Sequence, residues 1–257
     1  MADVDGAFQY RSGTPLHAVP ALDAIGGDTI ADRLHSIVDA IDGRIVLTTA
    51  FGVEAQLIAH HIFTEKLPIE IVTLDTGRMF PETHRVWQET EERYGARIRA
   101  IYPEAGAVSE MVSDQGINGF YHSKDARLAC CDVRKVQPLN EAVAGASAWI
   151  VGLRADQSRH RSSVKLASWD SHHRLIKLAP LFDWTREQVA ADCEALGVPV
   201  NALHAQGFLS IGCAPCTRAI QPGEPERAGR WWWEADTVRE CGLHVETSGR
   251  LVRTASG

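Results

Sequence analysis

Arg44-Ile45-Val46-Leu47-Thr48-Thr49-Ala50-Phe51-Gly52-Val53 is the stretch on which the fold turns. A β-rich apolar run ends there in hydroxyls and a glycine that lead into a helix, a turn able to offer backbone N–H groups to an anion. Working outward, further β-rich runs occupy residues 69–75, 97–102, 148–153 and 175–178. Helical patterns separate them. Ile30, Leu34, Ile37, Val38 and Ile41 recur at helical spacing, and the stretch 81–94 opens with a proline suited to a first helical turn. Thr185 and Gln188 read as a capping box for a helix that runs to about Leu196, where Gly197 and Pro199 end it. The alternation predicts an α/β fold, a mostly parallel open sheet with helices on both faces. Ligands of such sheets sit beyond the carboxyl ends of the strands, which singles out the turn after Thr48 and the turn Asp75-Thr76-Gly77-Arg78. Neither the dinucleotide fingerprint nor the Walker lysine is present.

A chain of 257 residues with 45% hydrophobic content can bury a sizeable core, and one large domain is expected. Asp3, Asp5, Gly26, Gly27 and Asp28 punctuate an N-terminal stretch without a long apolar core, which resembles neither a secretory signal nor a membrane span. A cytoplasmic location with no membrane partner is the expectation. The net charge of −7 speaks against a nonspecific nucleic-acid binder. An anionic ligand must therefore be held locally. Basic residues gather between Arg154 and Arg161 and between Arg218 and Arg230, diluted by Asp156, Glu224 and Glu226, and an isolated arginine there is by default solvated surface.

Six cysteines in a chain this apolar are not needed as staples, and a reducing compartment favours metal or redox roles. Cys130 and Cys131 are adjacent, while Cys213 and Cys216 form a C-x-x-C around Ala214 and Pro215. Structural zinc usually takes pairs separated by two to four residues. Vicinal cysteines fit a single tetrahedral ion poorly because their side chains diverge, whereas a cuboidal cluster offers each a separate corner. The spacing thus favours an iron–sulfur cluster, with zinc, redox-active disulfides and inert thiols left open; ferredoxin spacings are absent. Cys193 lies within the helix after Thr185 and reads as a small buried hydrophobe without a role. Cys241, between Glu240 and Gly242 and close to His244, could be a low-pKa nucleophile, although an unpaired cysteine near a terminus is by itself incidental.

The flanking residues add what spacing does not. Thr48-Thr49-Ala50-Phe51-Gly52, Thr73-Leu74-Asp75-Thr76-Gly77-Arg78, Cys130-Cys131 with Arg134-Lys135, Asp156-Gln157-Ser158, Gly212-Cys213 with Pro215-Cys216-Thr217-Arg218, Glu226-Arg227 with Gly229-Arg230-Trp231-Trp232-Trp233, and Glu240-Cys241-Gly242-Leu243-His244 stand in one order. Together, over about residues 45–244, they resemble the assimilatory adenylyl-sulfate (APS) and phosphoadenylyl-sulfate (PAPS) reductases, in the cluster-containing type of APS reductase. The resemblance implies an adenine nucleotide alpha hydrolase-like sheet, with one 4Fe-4S cluster on Cys130, Cys131, Cys213 and Cys216. It implies that Cys241 attacks the sulfur of adenylyl sulfate, expels AMP and becomes an S-sulfocysteine, from which thioredoxin or glutaredoxin releases sulfite. Lys135, Arg161, Arg227 and Arg230 become the substrate-contacting cations, Thr49, Gly52 and Leu74 line the adenosine-phosphate cleft, and Gly152 gives the substrate access to a strand end. The loop after Ser158 is one residue shorter than the family's form, which leaves Ser162 and Arg159 as alternatives to Arg161. Of the three tryptophans, packing is the expected role. Residues 1–29 are then a poorly ordered segment, 30–233 the nucleotide-binding and iron–sulfur domain, and 234–257 a mobile tail carrying the nucleophile. Homo-oligomerisation is left open.

Three rival readings remain at this stage: a PAPS reductase, which generally lacks the cluster cysteines; an ATP pyrophosphatase, whose Ser-Gly-Gly phosphate loop is replaced here by Thr49-Ala50-Phe51-Gly52; and a zinc-bound interaction module.

Overall fold

Ile45 and Leu47 alternate with Val46 along one strand, and all three are buried, so this strand needs apolar cover on both faces. A computed structural model provides it. The structure describes residues 18–234, with backbone alone at 19–20, and the backbone of 10–11 and 14–15. In chain order the elements are β1 (Tyr10–Arg11) and β2 (Thr14–Pro15), which pair with each other, α1 (Val19–Ala24), α2 (Ile30–Ala40), β3 (Ile45–Thr49), α3 (Val53–Thr64), β4 (Ile69–Leu74), α4 (Pro81–Tyr94), β5 (Arg99–Ile101), α5 (Ala105–Gln115), α6 (Lys124–Cys131), α7 (Gln137–Val143), β6 (Ala148–Ile150), β7 (Ala167–Asp170), β8 (Leu175–Leu178) and α8 (Arg186–Ala195).

Six strands form one sheet in the order β5-β4-β3-β6-β8-β7. All neighbours are parallel except β7 and β8. The expected α/β architecture is thus observed. On one face Ile45, Leu47, Ile150 and Leu178 pack against Leu34 and Ile37 of α2, Leu57 and Ile58 of α3 and Val189 of α8. On the other, Val46, Val72 and Val151 meet Leu139, Ala142 and Val143 of α7. After β3 the chain builds β4 and β5 on one side, then returns to lay β6 on the other, so a crevice opens at the carboxyl end of β3.

Two features depart from the sequence reading. β7 is an antiparallel edge strand, and its Ala-Ser-Trp-Asp carries no apolar run to announce it. Of residues 1–29, those of α1 form a helix, and Ala18 and Ile25 beside it are buried in the main core. Thr29 and Asp32 close a capping box at the start of α2, and Arg33 is held by Asp183 through two hydrogen bonds of 2.6 and 2.7 Å. Between α6 and α7, Asp132–Val136 forms a π-helical turn directly after the vicinal cysteines. No helix among the described residues is long and apolar enough to cross a membrane.

Candidate active site

Phe51 takes a left-handed φ of 57° between β3 and α3, and its N–H donates to Thr49 Oγ1 at 2.8 Å. A buried aromatic in that conformation is a strained turn held by its packing, here on Trp87. The turn presents Thr49, Gly52 and the first turn of α3 to a cavity at the carboxyl edge of the sheet. Thr49, Gly52, Leu74, Lys135, Gly152, Arg161, Arg227 and Arg230, named from the sequence, all line that one cavity. Arg159 and Ser162 are exposed and do not line it, and Arg161 does. Four cations therefore meet in one place on a chain whose net charge is −7.

Gly152 has a reason the sequence did not indicate. A Cβ there would stand 3.0 Å from Glu54 Cβ and 3.2 Å from the Ala55 nitrogen, so the residue's close neighbour is the first turn of α3. Gly212 is more constrained still: a Cβ would lie 2.3 Å from Arg230 Nη2. The guanidinium rests on that glycine.

A second cavity adjoins the first. Cys130, Cys131, Cys213 and Cys216 line it, and Lys135, Cys213 and Trp231 line both. The four sulfurs, 83 residues apart in sequence between Cys130 and Cys213, are assembled by named contacts. Gly77 N–H donates to Asp75 Oδ1, Arg134 Nη1 donates to the Thr76 carbonyl at 2.7 Å, and Ala214 N–H donates to the Arg78 carbonyl at 2.8 Å. Thr76 Oγ1 lies 3.3 Å from Cys213 Sγ. The turn after β4 is thus the clasp between the two cysteine segments. On the far side, Thr217 bridges Arg230 and Trp231 N–H donates to the Cys216 carbonyl, which sets Arg227–Trp231 beside the C-x-x-C.

The thiols differ. Burial alone would raise Cys213, but the Lys135 ammonium, the Thr76 hydrogen bond and Arg230 outweigh it and hold that thiol below its ordinary value. Burial, reinforced by the neighbouring Cys213 charge, pushes Cys216 up to about 12. Burial likewise raises Cys130, against Arg134. Cys193 lies away from this group, buried with its sulfur 3.7 Å from the Val53 carbonyl, and burial followed by Glu54 pushes it up to about 12. It is an inert thiol.

Four soft thiol donors lining one cavity are a donor set that suits an iron–sulfur cluster. The buried Trp231 indole N–H, on the wall of that cavity, has no acceptor among the described residues. An occupant bearing soft acceptor sulfurs would supply one.

A model of the phosphoadenosine phosphosulfate reductase domain matches residues 44–219. The chain belongs to the APS/PAPS reductase family. The adenosine 5'-phosphosulfate reductase of Agrobacterium fabrum is 52% identical over 226 residues, which cover 88% of this chain and 86% of that protein. That of Allochromatium vinosum is 50% identical over 227 residues, covering 86% and 89%. Among solved structures, the phosphoadenylyl-sulfate (PAPS) reductase of Candida auris, in a phosphate complex, superposes with a TM-score of 0.66 at 23% identity, over 79% of this chain and 95% of that one, and shares the fold.

Within this family frame several site residues escaped the sequence reading. Arg154 is 0% exposed and donates to Glu54 (2.9 Å), Glu226 (2.8 Å) and Asp156, so one guanidinium ties α3, the loop after β6 and the segment leading to Arg227. Its place in the basic run 154–161 disguised it as surface. His204 and the segment Leu209–Ile211 complete the cavity wall beside the motif residue Gly212, and no pattern in the sequence marked them. Trp231 is buried and Trp233 packs on Phe120 and Tyr121, in line with the expected packing role, while Trp232 is exposed. Cys241 and His244 lie outside the described residues, as does the tail from residue 235.

Proposed function

We propose that this chain reduces adenylyl sulfate to sulfite and AMP. The observation that carries the reading is the meeting of Lys135, Arg161, Arg227 and Arg230 in a cavity whose wall includes Cys213. A thiolate attacking a sulfate ester must overcome like-charge repulsion of about 4 kcal/mol per unit pair at contact and an effective dielectric near 20. Cations arranged in advance offset that cost and stabilise the departing phosphate. The names of the relatives, adenosine 5'-phosphosulfate reductases, support APS as the substrate.

In this reading the Cys241 thiolate attacks the sulfur, the S–O bond to the phosphate breaks, and AMP leaves with its electron pair, giving an S-sulfocysteine. One thiolate of a reduced thioredoxin or glutaredoxin then attacks the Cys241 sulfur and displaces sulfite; the second thiol closes the reductant's disulfide, and Cys241 returns as a thiol. The arginines orient phosphate and sulfate, and Thr49, Gly52 and Leu74 hold the nucleotide. Cys130, Cys131, Cys213 and Cys216 would hold a 4Fe-4S cluster, which would supply fixed charge and cross-linking beside Lys135 rather than electrons. The setting would be the cytoplasm and sulfate assimilation toward cysteine.

Sulfite release from APS and from PAPS, with thioredoxin supplied, tests the reading; turnover of PAPS equal to or better than that of APS overturns the substrate assignment. Cys241→Ser is expected to retain iron and acid-labile sulfide and to lose sulfite formation. Continued turnover by that variant removes Cys241 as the nucleophile.

A further inference from the structure

Glu234 lines neither cavity, yet it is joined to the anion site by a column of side chains. Its carboxylate accepts from Arg127 Nε at 2.8 Å and Nη2 at 2.9 Å, and Arg127 is 1% exposed. The Arg127 guanidinium lies over the Trp231 ring, 4.6 Å from its centroid, and the Arg230 guanidinium lies 4.6 Å from the same ring. Trp231 itself has a φ of 43°, a left-handed conformation that a bulky residue keeps only where its surroundings impose it. Arg230, at 6% exposure, sits on Gly212 in the substrate cavity, and its Nε has no partner among the described residues.

Two guanidinium ions sharing one indole repel each other. A fork-to-fork carboxylate on one of them removes that repulsion and fixes its orientation. The other cation–π contact can then hold its arginine with an uncompensated charge directed at an anion.

We propose that Glu234 is a positioning residue for substrate-anion binding: by clamping Arg127 it keeps Trp231 in the left-handed conformation that seats Arg230 in the cavity. This rests on the reading of Arg230 as an anion-binding cation. Glu234 stands seven residues before Cys241 in the sequence.

The test is a double-mutant cycle on the full chain, with AMP affinity measured by equilibrium dialysis and iron content and melting temperature followed in parallel. Glu234→Gln is expected to weaken AMP binding about tenfold, Arg230→Gln about tenfold or more, and the pair little more than Arg230→Gln alone, because coupled residues are non-additive. Glu234→Asp, which keeps the carboxylate, should restore most of the affinity. An Arg230→Gln protein that binds AMP as the parent does refutes the anion reading itself. If Arg230→Gln weakens binding but Glu234→Gln does not, or weakens it equally in both backgrounds, the anion reading stands and the column is only a structural ion pair. Should Glu234→Gln lose its iron, Glu234→Asp replaces it in the same cycle, with an expected loss of about threefold in the parent and none beside Arg230→Gln.

Discussion

Gly212 has the narrowest tolerance at the site. A methyl group there would stand 2.6 Å from Arg230 Cζ and 2.9 Å from its Nη1, so the guanidinium must move. Gly212→Ala is therefore expected to lower AMP affinity about tenfold through loss of a charge-assisted contact, with little change in unfolding free energy; dialysis and urea titration on the same preparation separate the two. Unchanged AMP affinity would mean that Arg230 does not bind the phosphate. Cys193 illustrates the opposite case. Its place within a helical pattern already read as a small buried hydrophobe, and it is buried beside the Val53 carbonyl as a packing residue.

At the scale of elements, the clasp between α2 and the loop before α8 carries a pH signature. The hydrogen bond from Arg33 holds the Asp183 carboxyl below its usual value, against desolvation. A depressed folded-state pKa contributes stability that is present above the unfolded value, about 3.9 for Asp, and is lost as pH falls through the folded one. The stability difference between the parent and Asp183→Asn should therefore be largest near neutrality and shrink on acidification below about pH 4. Urea unfolding at several pH values checks it, and a difference that grows on acidification contradicts it. The capping box of Thr185 and Gln188 was readable from local sequence because all its atoms lie within four residues. The π-helical turn after Cys131 was not: it has no composition of its own, and it is set by what Arg134 must reach, the Thr76 carbonyl.

For the molecule as a whole, Arg154 is the joint between the sheet and the segment that covers its edge. Glu54, Asp156 and Glu226 converge on it, and Arg186 Nη1 approaches Glu226 at 3.6 Å. Burial raises Glu226 above the ordinary carboxylate value, with Arg154 opposing. Removing the guanidinium would leave buried carboxylates uncompensated. Arg154→Met is expected to cost about 3–5 kcal/mol in urea unfolding, as breaking a buried ion pair does, and to weaken AMP binding because Glu226 no longer anchors Arg227. A cost below about 1 kcal/mol, the range of exposed pairs, would place the joint elsewhere.

Alternating β-rich and helical periods were enough to specify a parallel α/β sheet, because both periods are local and repeat within one element. Thiol spacing and motif order likewise singled out Cys130, Cys131, Cys213 and Cys216 and the four cations, which line two adjoining cavities. What the linear chain could not express is proximity. That Arg154 is a buried tie while Arg161 lines the cavity, that the turn at Asp75–Arg78 gathers two cysteine segments, and that Glu234 is linked through Arg127 to Trp231 on the cavity wall all depend on contacts between residues far apart in sequence. Burial and charge pairing are properties of those contacts, and only the tertiary structure brings them into existence.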